Sequence, residues 1–81
     1  MAEVTLQELA EVFDEIVDLS GVHLREDALL GDHIPVDSRD MLRVLARIEA
    51  RYRIRFEPED VLRMKTLGDV LSAVNRRARS A

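Results

Sequence analysis

Apolar residues recur at intervals of three and four over the first part of the chain, from Leu6 to Val17. This spacing is typical of one face of an α-helix, and the opposite face is acidic. Thr5 and Glu8 match the pattern of a helix N-terminus in which two side chains cap each other's backbone. Ser20-Gly21 is a turn signal. The pattern therefore predicts a first helix from about residue 5 to residue 19.

The segment from Val22 to Val36 shows neither helical nor strand periodicity. It contains Gly31 and Pro35, and its fifteen residues are many for a loop in so small a domain. We expect its larger apolar side chains to pin it to the core, so that the loop fixes the position of the residues that follow it. These side chains are Leu24, Leu29, Leu30 and Ile34.

A second helical pattern begins directly after this loop. The apolar residues from Met41 to Tyr52 fall on one face and predict a helix from about Ser38 to Arg53. Ser38 would then lie at the helix N-terminus, near solvent, where backbone N–H groups are unpaired and the helix dipole favours negative charge. A phosphate ester on the Ser38 hydroxyl would be favourably placed there.

The next residues predict a short connector and a short helix. Ile54 and Phe56 alternate with polar residues, as in an extended segment that turns its apolar side chains inward. Pro58 suits the first turn of a third helix, which we place at about residues 59–64.

The residues from Thr66 onward predict a fourth helix. Thr66 and Asp69 mark a helix N-terminus, and the apolar face behind it runs from Leu67 to Val74. Together the segments predict an all-α fold, a four-helix bundle with a short third helix and its longest loop between the first and second helices. Eighty-one residues suffice for one small core, so residues 1–81 are interpreted as a single domain.

Composition narrows the classes of function. The chain has no cysteine and two histidines, which argues against a disulfide framework and against a structural zinc site. No apolar run approaches the ~20 residues of a membrane span, and no basic region followed by a hydrophobic stretch opens the chain. We therefore expect a monomeric cytoplasmic protein without a secretory signal.

The net charge of −4 is unevenly distributed. Residues 1–37 carry ten acidic side chains against one arginine, whereas residues 38–55 carry six arginines against two acidic side chains. Arg39, Arg43 and Arg47 follow one another at four-residue intervals, opposite the apolar face of the second predicted helix. Two interpretations stay open: a solvated face, since arginine favours helices, or a surface that docks a partner protein.

The pair Asp37-Ser38 stands at the start of the second predicted helix, where a lone serine is most often a cap. Its position within the spacing of four helices is more specific than the pair itself. Turns that lead into the third and fourth predicted helices follow, at Tyr52–Asp60 and Thr66–Val70. With these residues, the chain from about Leu6 to Val74 resembles the acyl carrier proteins. The hallmark of that family of phosphopantetheine-dependent carriers is Asp-Ser-Leu or Asp-Ser-Met.

The resemblance implies that a phosphopantetheinyl transferase moves 4′-phosphopantetheine from coenzyme A onto Ser38. The arm would hold acyl intermediates as thioesters for synthases or ligases of a fatty-acid, polyketide or specialised lipid or secondary-metabolite pathway. The protein would not be an enzyme, and no nucleic acid or membrane span is expected. Asp37 matches the family's residue before the serine, and it either steers the transferase and its magnesium or caps the helix.

Three features depart from the family's pattern. Arg39 replaces the Leu or Met that contacts the modifying enzyme, and Pro35 replaces a common glycine, which stiffens the approach to Ser38. The arginines stand where fatty-acid carriers present acidic side chains, which implies partners with an acidic docking face. The residues expected to dock them are Arg39, Asp40, Arg43 and Arg47.

Alternatives to a carrier stay open. The chain could be an unmodified interaction module that docks through Arg39, Arg43 and Arg47, with Ser38 only a cap. Nucleic-acid binding is weaker, because the chain is acidic overall and no aromatic platform accompanies the arginines. An enzyme is weaker still, because no base has a fixed relation to Ser38. His33 is the nearest histidine, and a histidine in a loop is more often an ordinary surface residue than a catalytic base.

A further expectation concerns the apolar residues between the helices. As in the family, they could line a slot that admits an acyl chain, although plain core packing explains them more simply. They are Ala28, Met41, Val44, Val61, Met64 and Leu67.

Overall fold

A computed structural model of the chain describes residues 3–80 as four helices joined by loops. The helices are α1 (Leu6–Asp14), α2 (Ser38–Tyr52), α3 (Pro58–Leu62) and α4 (Leu67–Ser80). Over these residues the only β-type pairing is two isolated bridges in the loops. The predicted all-α bundle, with its short third helix and its longest loop between the first two helices, is confirmed.

Two predicted helix N-termini are confirmed in detail. The Glu8 N–H donates to Thr5 Oγ1 at 3.1 Å, and the Thr5 N–H donates to the Glu8 carboxylate at 2.9 Å. At α4, the Asp69 N–H donates to Thr66 Oγ1 at 3.1 Å, and the Thr66 N–H donates back to the Asp69 carboxylate at 2.9 Å. Each pair satisfies backbone groups that the helix itself leaves unpaired.

The predicted end of the first helix was wrong, because α1 ends at Asp14 rather than near residue 19. The chain tightens after Asp14, where the Ile16 N–H donates to the Phe13 carbonyl at 3.0 Å. The Asp18 carboxylate then accepts the Ser20 N–H at 2.9 Å. Such a local bond between a side chain and the backbone offers the chain an alternative to another helical turn.

The core lies between α1, α2 and α4, which turn their predicted apolar faces toward one another. Burying one such side chain stabilises the fold by about 1.5–3 kcal/mol. The largest fully buried side chains are Leu9, Val12, Phe13, Ile34, Val44, Ile48, Leu67, Val70 and Val74.

The loop between α1 and α2 is anchored, though only partly by the predicted side chains. Ile34 is fully buried and Leu30 is half-buried, whereas Leu24 and Leu29 are exposed, so the prediction was wrong for the last two. Ala28 and Val36 are buried instead.

Backbone pairing with the start of α4 explains this difference. The Leu30 N–H donates to the Lys65 carbonyl, and the Leu67 N–H donates to the Ala28 carbonyl, both at 2.9 Å. Side chains alternate along an extended segment, so Ala28 and Leu30 turn inward and Leu29 turns outward. Sequence periodicity could not show this, because the paired residues lie far apart in the chain.

The second half of the chain follows the prediction closely. The second helix ends at Tyr52, within one residue of the expected boundary, and Arg53 caps it in the left-handed conformation. Ile54 is buried and Phe56 half-buried, as the alternating connector predicts. The third helix begins at Pro58 and ends at Leu62, two residues before the predicted end. No described helix is long and apolar enough to cross a lipid bilayer.

Gly68 lets the loop approach the first turn of α4. The Gly68 N–H donates to the Glu26 carbonyl at 2.8 Å, and a Cβ at this glycine would lie 2.8 Å from the same oxygen. We expect Gly68→Ala to lower the free energy of unfolding by about 1–3 kcal/mol, because backbone must move to relieve the contact.

Urea unfolding at neutral pH measures this effect. The matched control is Ser72→Ala, which places alanine at an exposed site on the same helix and should be neutral or slightly stabilising. A Gly68→Ala protein as stable as the parent would show that the loop does not pack closely on α4.

Candidate functional site at the start of α2

Ser38 is the first residue of α2 and is exposed. The cap of the helix is the preceding residue, since the Asp37 carboxylate accepts the Asp40 N–H at 2.7 Å. The Asp40 carboxylate accepts the Asp37 N–H at 3.3 Å and completes the reciprocal pair. The Ser38 hydroxyl forms no hydrogen bond with the residues that the structure describes. The expectation that Ser38 caps the helix is therefore wrong, whereas the alternative of an unmodified interaction module stays a prediction.

Asp37 places a stable negative charge beside this hydroxyl. The N–H of Asp40 holds the pKa of the Asp37 carboxyl below its ordinary value, and the charge of Arg39 lowers it further. Asp37 is therefore ionised at neutral pH. Of the two roles considered for it, the helix cap is confirmed, and a role toward a transferase stays a prediction.

The approach to Ser38 is fixed by buried side chains on both sides of an exposed proline. Ile34 and Val36 are buried, and Pro35 between them is exposed. The Gly31 and Val36 N–H groups both donate to the Ile34 carbonyl at 2.8 Å. Because proline also fixes its own backbone dihedral, the loop holds Asp37 and Ser38 in a defined position.

His33 has a role within the loop. Its Nδ1 accepts the N–H of Leu29 at 2.8 Å, so that nitrogen is engaged in holding the turn. The structure thus gives this histidine a local structural contact, in line with the interpretation of it as part of the surface.

An apolar groove opens beside Ser38 between α2 and α3, with a volume of about 580 Å³. Of the predicted slot residues, Met41, Val61 and Met64 line this groove. The other three, Ala28, Val44 and Leu67, are buried in the core. Core packing therefore accounts for three of the six residues, and the other three line a groove whose use by an acyl chain stays a prediction. The complete lining is Leu30, Val36, Asp37, Ser38, Met41, Leu42, Leu45, Val61 and Met64.

The four arginines of α2 differ in their surroundings. Arg47 pairs with the Glu15 carboxylate at 2.8 Å, and Arg51 reaches the same carboxylate at 3.4 Å. Arg39 and Arg43 are exposed and form no ion pair with a described residue. The predicted docking residues thus lie on one helix. Among the arginines of α2, only Arg39 and Arg43 are not bound by a described acidic side chain.

A buried ion-pair cluster between α3 and α4 was not predicted from the sequence. The Asp60 carboxylate is 3% exposed and accepts bonds from Arg77 at 2.7 Å and from Arg76 at 2.8 Å. It also accepts the Glu57 N–H at 2.7 Å. These donors hold the pKa of the Asp60 carboxyl far below its ordinary value, and Arg77 makes the largest contribution. The cluster fastens α3, and with it one wall of the groove, to α4.

One other class of site, a metal centre, has no candidate in the described part of the chain. No group of three or more His, Cys, Asp or Glu side chains there is placed to hold a metal ion.

Comparison with known proteins gives several relatives that are named as acyl carrier proteins. No family model matches the sequence. The acyl carrier protein of Kineococcus radiotolerans is 27% identical over 71 residues, which make up 88% of each chain. The meromycolate extension acyl carrier protein of Mycolicibacterium aurum is 24% identical over 68 residues, covering 84% of this chain and 70% of that protein. The acyl carrier protein of Rhodococcus erythropolis is 22% identical over 74 residues, covering 91% and 81%.

A solved structure extends this similarity to the whole fold. The hexanoyl acyl carrier protein of the actinorhodin polyketide synthase of Streptomyces coelicolor superposes with a TM-score of 0.86. It is 26% identical in sequence, and the match covers 99% of this chain and 96% of that chain. The chain is thus similar to acyl carrier proteins in sequence and in fold over nearly its whole length. The resemblance inferred from the sequence is thereby confirmed, and the relatives are named as carriers, which agrees with the expectation that this protein is not an enzyme.

In this fold, the features described above lie together at the start of α2. An exposed serine, a neighbouring capping carboxylate and an apolar groove meet at one end of one helix. The arginines follow along the same helix, at the exposed surface that leads away from the serine.

Proposed function

We propose that the protein carries acyl groups as thioesters on a 4′-phosphopantetheine arm attached to Ser38. The observation that supports this most is that Ser38 is exposed at the first position of α2 while Asp37 performs the capping. The hydroxyl is therefore available without loss of a helix cap.

The residues around Ser38 fit such an arm. The Ser38 oxygen would form the phosphodiester, and the positive end of the α2 dipole would favour its negative charge. When attached, the arm supplies a thiol that holds an acyl group as a thioester. The side chains of Met41, Val61 and Met64 offer an apolar surface within the groove beside the attachment point.

The partners follow from this chemistry. A phosphopantetheinyl transferase would modify Ser38, and acyl ligases or synthases of a lipid or polyketide pathway would load and unload the carrier. Asp37, ionised beside the serine, would face the transferase and its magnesium. The monomeric state, a cytoplasmic location and the absence of nucleic-acid binding stay predictions.

The intact mass after incubation with coenzyme A, magnesium and a broad-specificity phosphopantetheinyl transferase tests the proposal. We expect a gain of one phosphopantetheinyl group in the wild type and no gain in Ser38→Ala. A gain that persists in Ser38→Ala would contradict the assignment of the attachment site.

A further inference from the structure

Another pocket, with a volume of about 360 Å³, lies between α1 and the beginning of the loop that follows it. No residue that lines this pocket also lines the groove beside Ser38. The pocket is therefore a separate feature of the surface. The residues that line it include Gln7, Ala10, Glu11, Asp14, Leu19 and Leu24.

Two leucines of the loop give this pocket an apolar lining. Because α1 ends at Asp14, both leucines lie beyond the helix, where Leu19 is half-buried and Leu24 is 40% exposed. A single exposed leucine is ordinary on a protein surface. Leu24 differs because it lines a concave site together with a second leucine, and such sites are where proteins bind other molecules.

Two carboxylates at the same pocket are unpaired. Glu11 and Asp14 are exposed and form no hydrogen bond or ion pair with a described residue. Other acidic side chains of this half of the chain are engaged by a helix cap, a turn or an arginine. They are Glu8, Glu15, Asp18 and Asp27. The pocket thus combines apolar side chains with charges that the described chain leaves without a counterpart.

The surrounding charge favours a cationic ligand. Residues 1–37 carry ten acidic side chains against one arginine, and that arginine, Arg25, is paired with Asp27 at 3.0 Å. A surface of one sign attracts molecules of the opposite sign and repels others. A ligand for this pocket should therefore bring positive charge together with an apolar group.

We propose that this pocket docks a basic amphipathic helix of a partner protein. An apolar side chain of that helix contacts Leu19 and Leu24, while flanking Lys or Arg side chains pair with Glu11 and Asp14. The proposal goes beyond the carrier function and does not depend on it, because the pocket and the groove beside Ser38 share no lining residue. Binding here and attachment at Ser38 are expected to be compatible.

A partner protein is favoured over a second copy of this chain. A second copy would have to present Arg39 and Arg43 beside the exposed Leu42, which lie on α2 rather than on α1. Such a contact joins two different surfaces and continues from copy to copy unless it closes into a ring. The net charge of −4 on every copy opposes that accumulation.

The probe is a short helical peptide with leucines along one face and lysines on both flanks. It is titrated into the unmodified, ¹⁵N-labelled protein at low salt in the presence of EDTA, and NMR shift changes are followed. We expect saturable changes in α1 and in residues 19–24, and none in α3. Replacing the lysines by glutamate should abolish the changes, and added salt should weaken binding.

Variants of the protein locate the contact. The double variant Glu11→Gln/Asp14→Asn should weaken binding at least about fivefold, and Leu24→Ala at least about threefold. The matched control is Glu26→Gln/Asp32→Asn, which removes the same charge from exposed sites of the loop outside the pocket. It should bind within about twofold of the wild type.

Several results would overturn the proposal. They are the absence of saturable binding, shift changes centred on α2 or α3, equal binding of the glutamate peptide, or an equal effect of the control variant. The same shift changes on raising the concentration of the protein alone would assign the pocket to a second copy. Ser38→Ala should bind the peptide unchanged, so failure of this pocket and failure of Ser38 modification are distinguishable.

Discussion

Replacing Asp60 by alanine is expected to lower the free energy of unfolding by about 2–3 kcal/mol. Asp60 is almost completely buried and accepts bonds from Arg77, Arg76 and the backbone of Glu57. Truncation leaves all three donors without this acceptor. The loss is smaller than for a fully buried cluster, because both guanidinium groups are partly exposed and water can rehydrate them. A small domain has only ~5–10 kcal/mol of stability, so the effect is large.

The matched control is Glu59→Ala, which removes an equal charge from the same short helix. Glu59 is exposed and forms no hydrogen bond or ion pair with the described residues, so its loss should change stability by less than about 0.5 kcal/mol. Chemical unfolding of the two variants and the parent at neutral pH gives the comparison. Equal effects of the two substitutions would show that the cluster contributes only general electrostatics.

The same cluster predicts how stability changes with pH. The pKa of Asp60 is lowered in the folded protein, chiefly by the bond from Arg77. The contribution of Asp60 is therefore fully present above the unfolded pKa of ~3.9 and is lost as pH falls below it. The difference in unfolding free energy between the parent and Asp60→Ala should shrink on acidification below about pH 4. A difference that stays constant down to pH 2 would contradict this account.

Ser38→Ala is expected to abolish attachment of phosphopantetheine completely. The hydroxyl is the only atom through which the proposed phosphodiester forms, and the substitution keeps the Asp37 cap and a good helix former. Stability should therefore change little, which separates loss of attachment from loss of fold. Circular dichroism and urea unfolding of the variant provide that check.

Ser72→Ala is the matched control for this experiment. Ser72 is also an exposed serine on a helix, but it lies within α4 rather than at a helix start. This variant should accept the group as the wild type does. Equal loss of attachment in both variants would show that the group is not directed to the start of α2.

Local features of the fold could be predicted from the sequence. The caps of α1 and α4 depend on residues three positions apart, and the patterns Thr5 with Glu8 and Thr66 with Asp69 carry that information. Ser38 was also found from local sequence, because Asp37-Ser38 stands where the loop ends and the helical pattern of α2 begins. These contacts form within one helical turn, so a short stretch of sequence determines them.

Contacts between distant parts of the chain could not be predicted. Asp60 meets arginines 16 and 17 residues away, and Arg47 meets a carboxylate 32 residues away. Nothing in the sequence distinguishes Arg47 from Arg43, although only the former is held by a described acidic side chain. The outward turn of Leu29 likewise follows from pairing with Thr66. Such partners are selected by packing, which periodicity does not record.

The central claim, that Ser38 carries a phosphopantetheine arm, is tested most directly by the mass of the protein from its native host. The intact mass should exceed the mass of the unmodified chain by one phosphopantetheinyl group, and fragmentation should place that group on Ser38. An unmodified mass from the host, together with no gain from a broad-specificity transferase, would contradict the claim. It would leave the chain as a carrier-type fold used for binding alone.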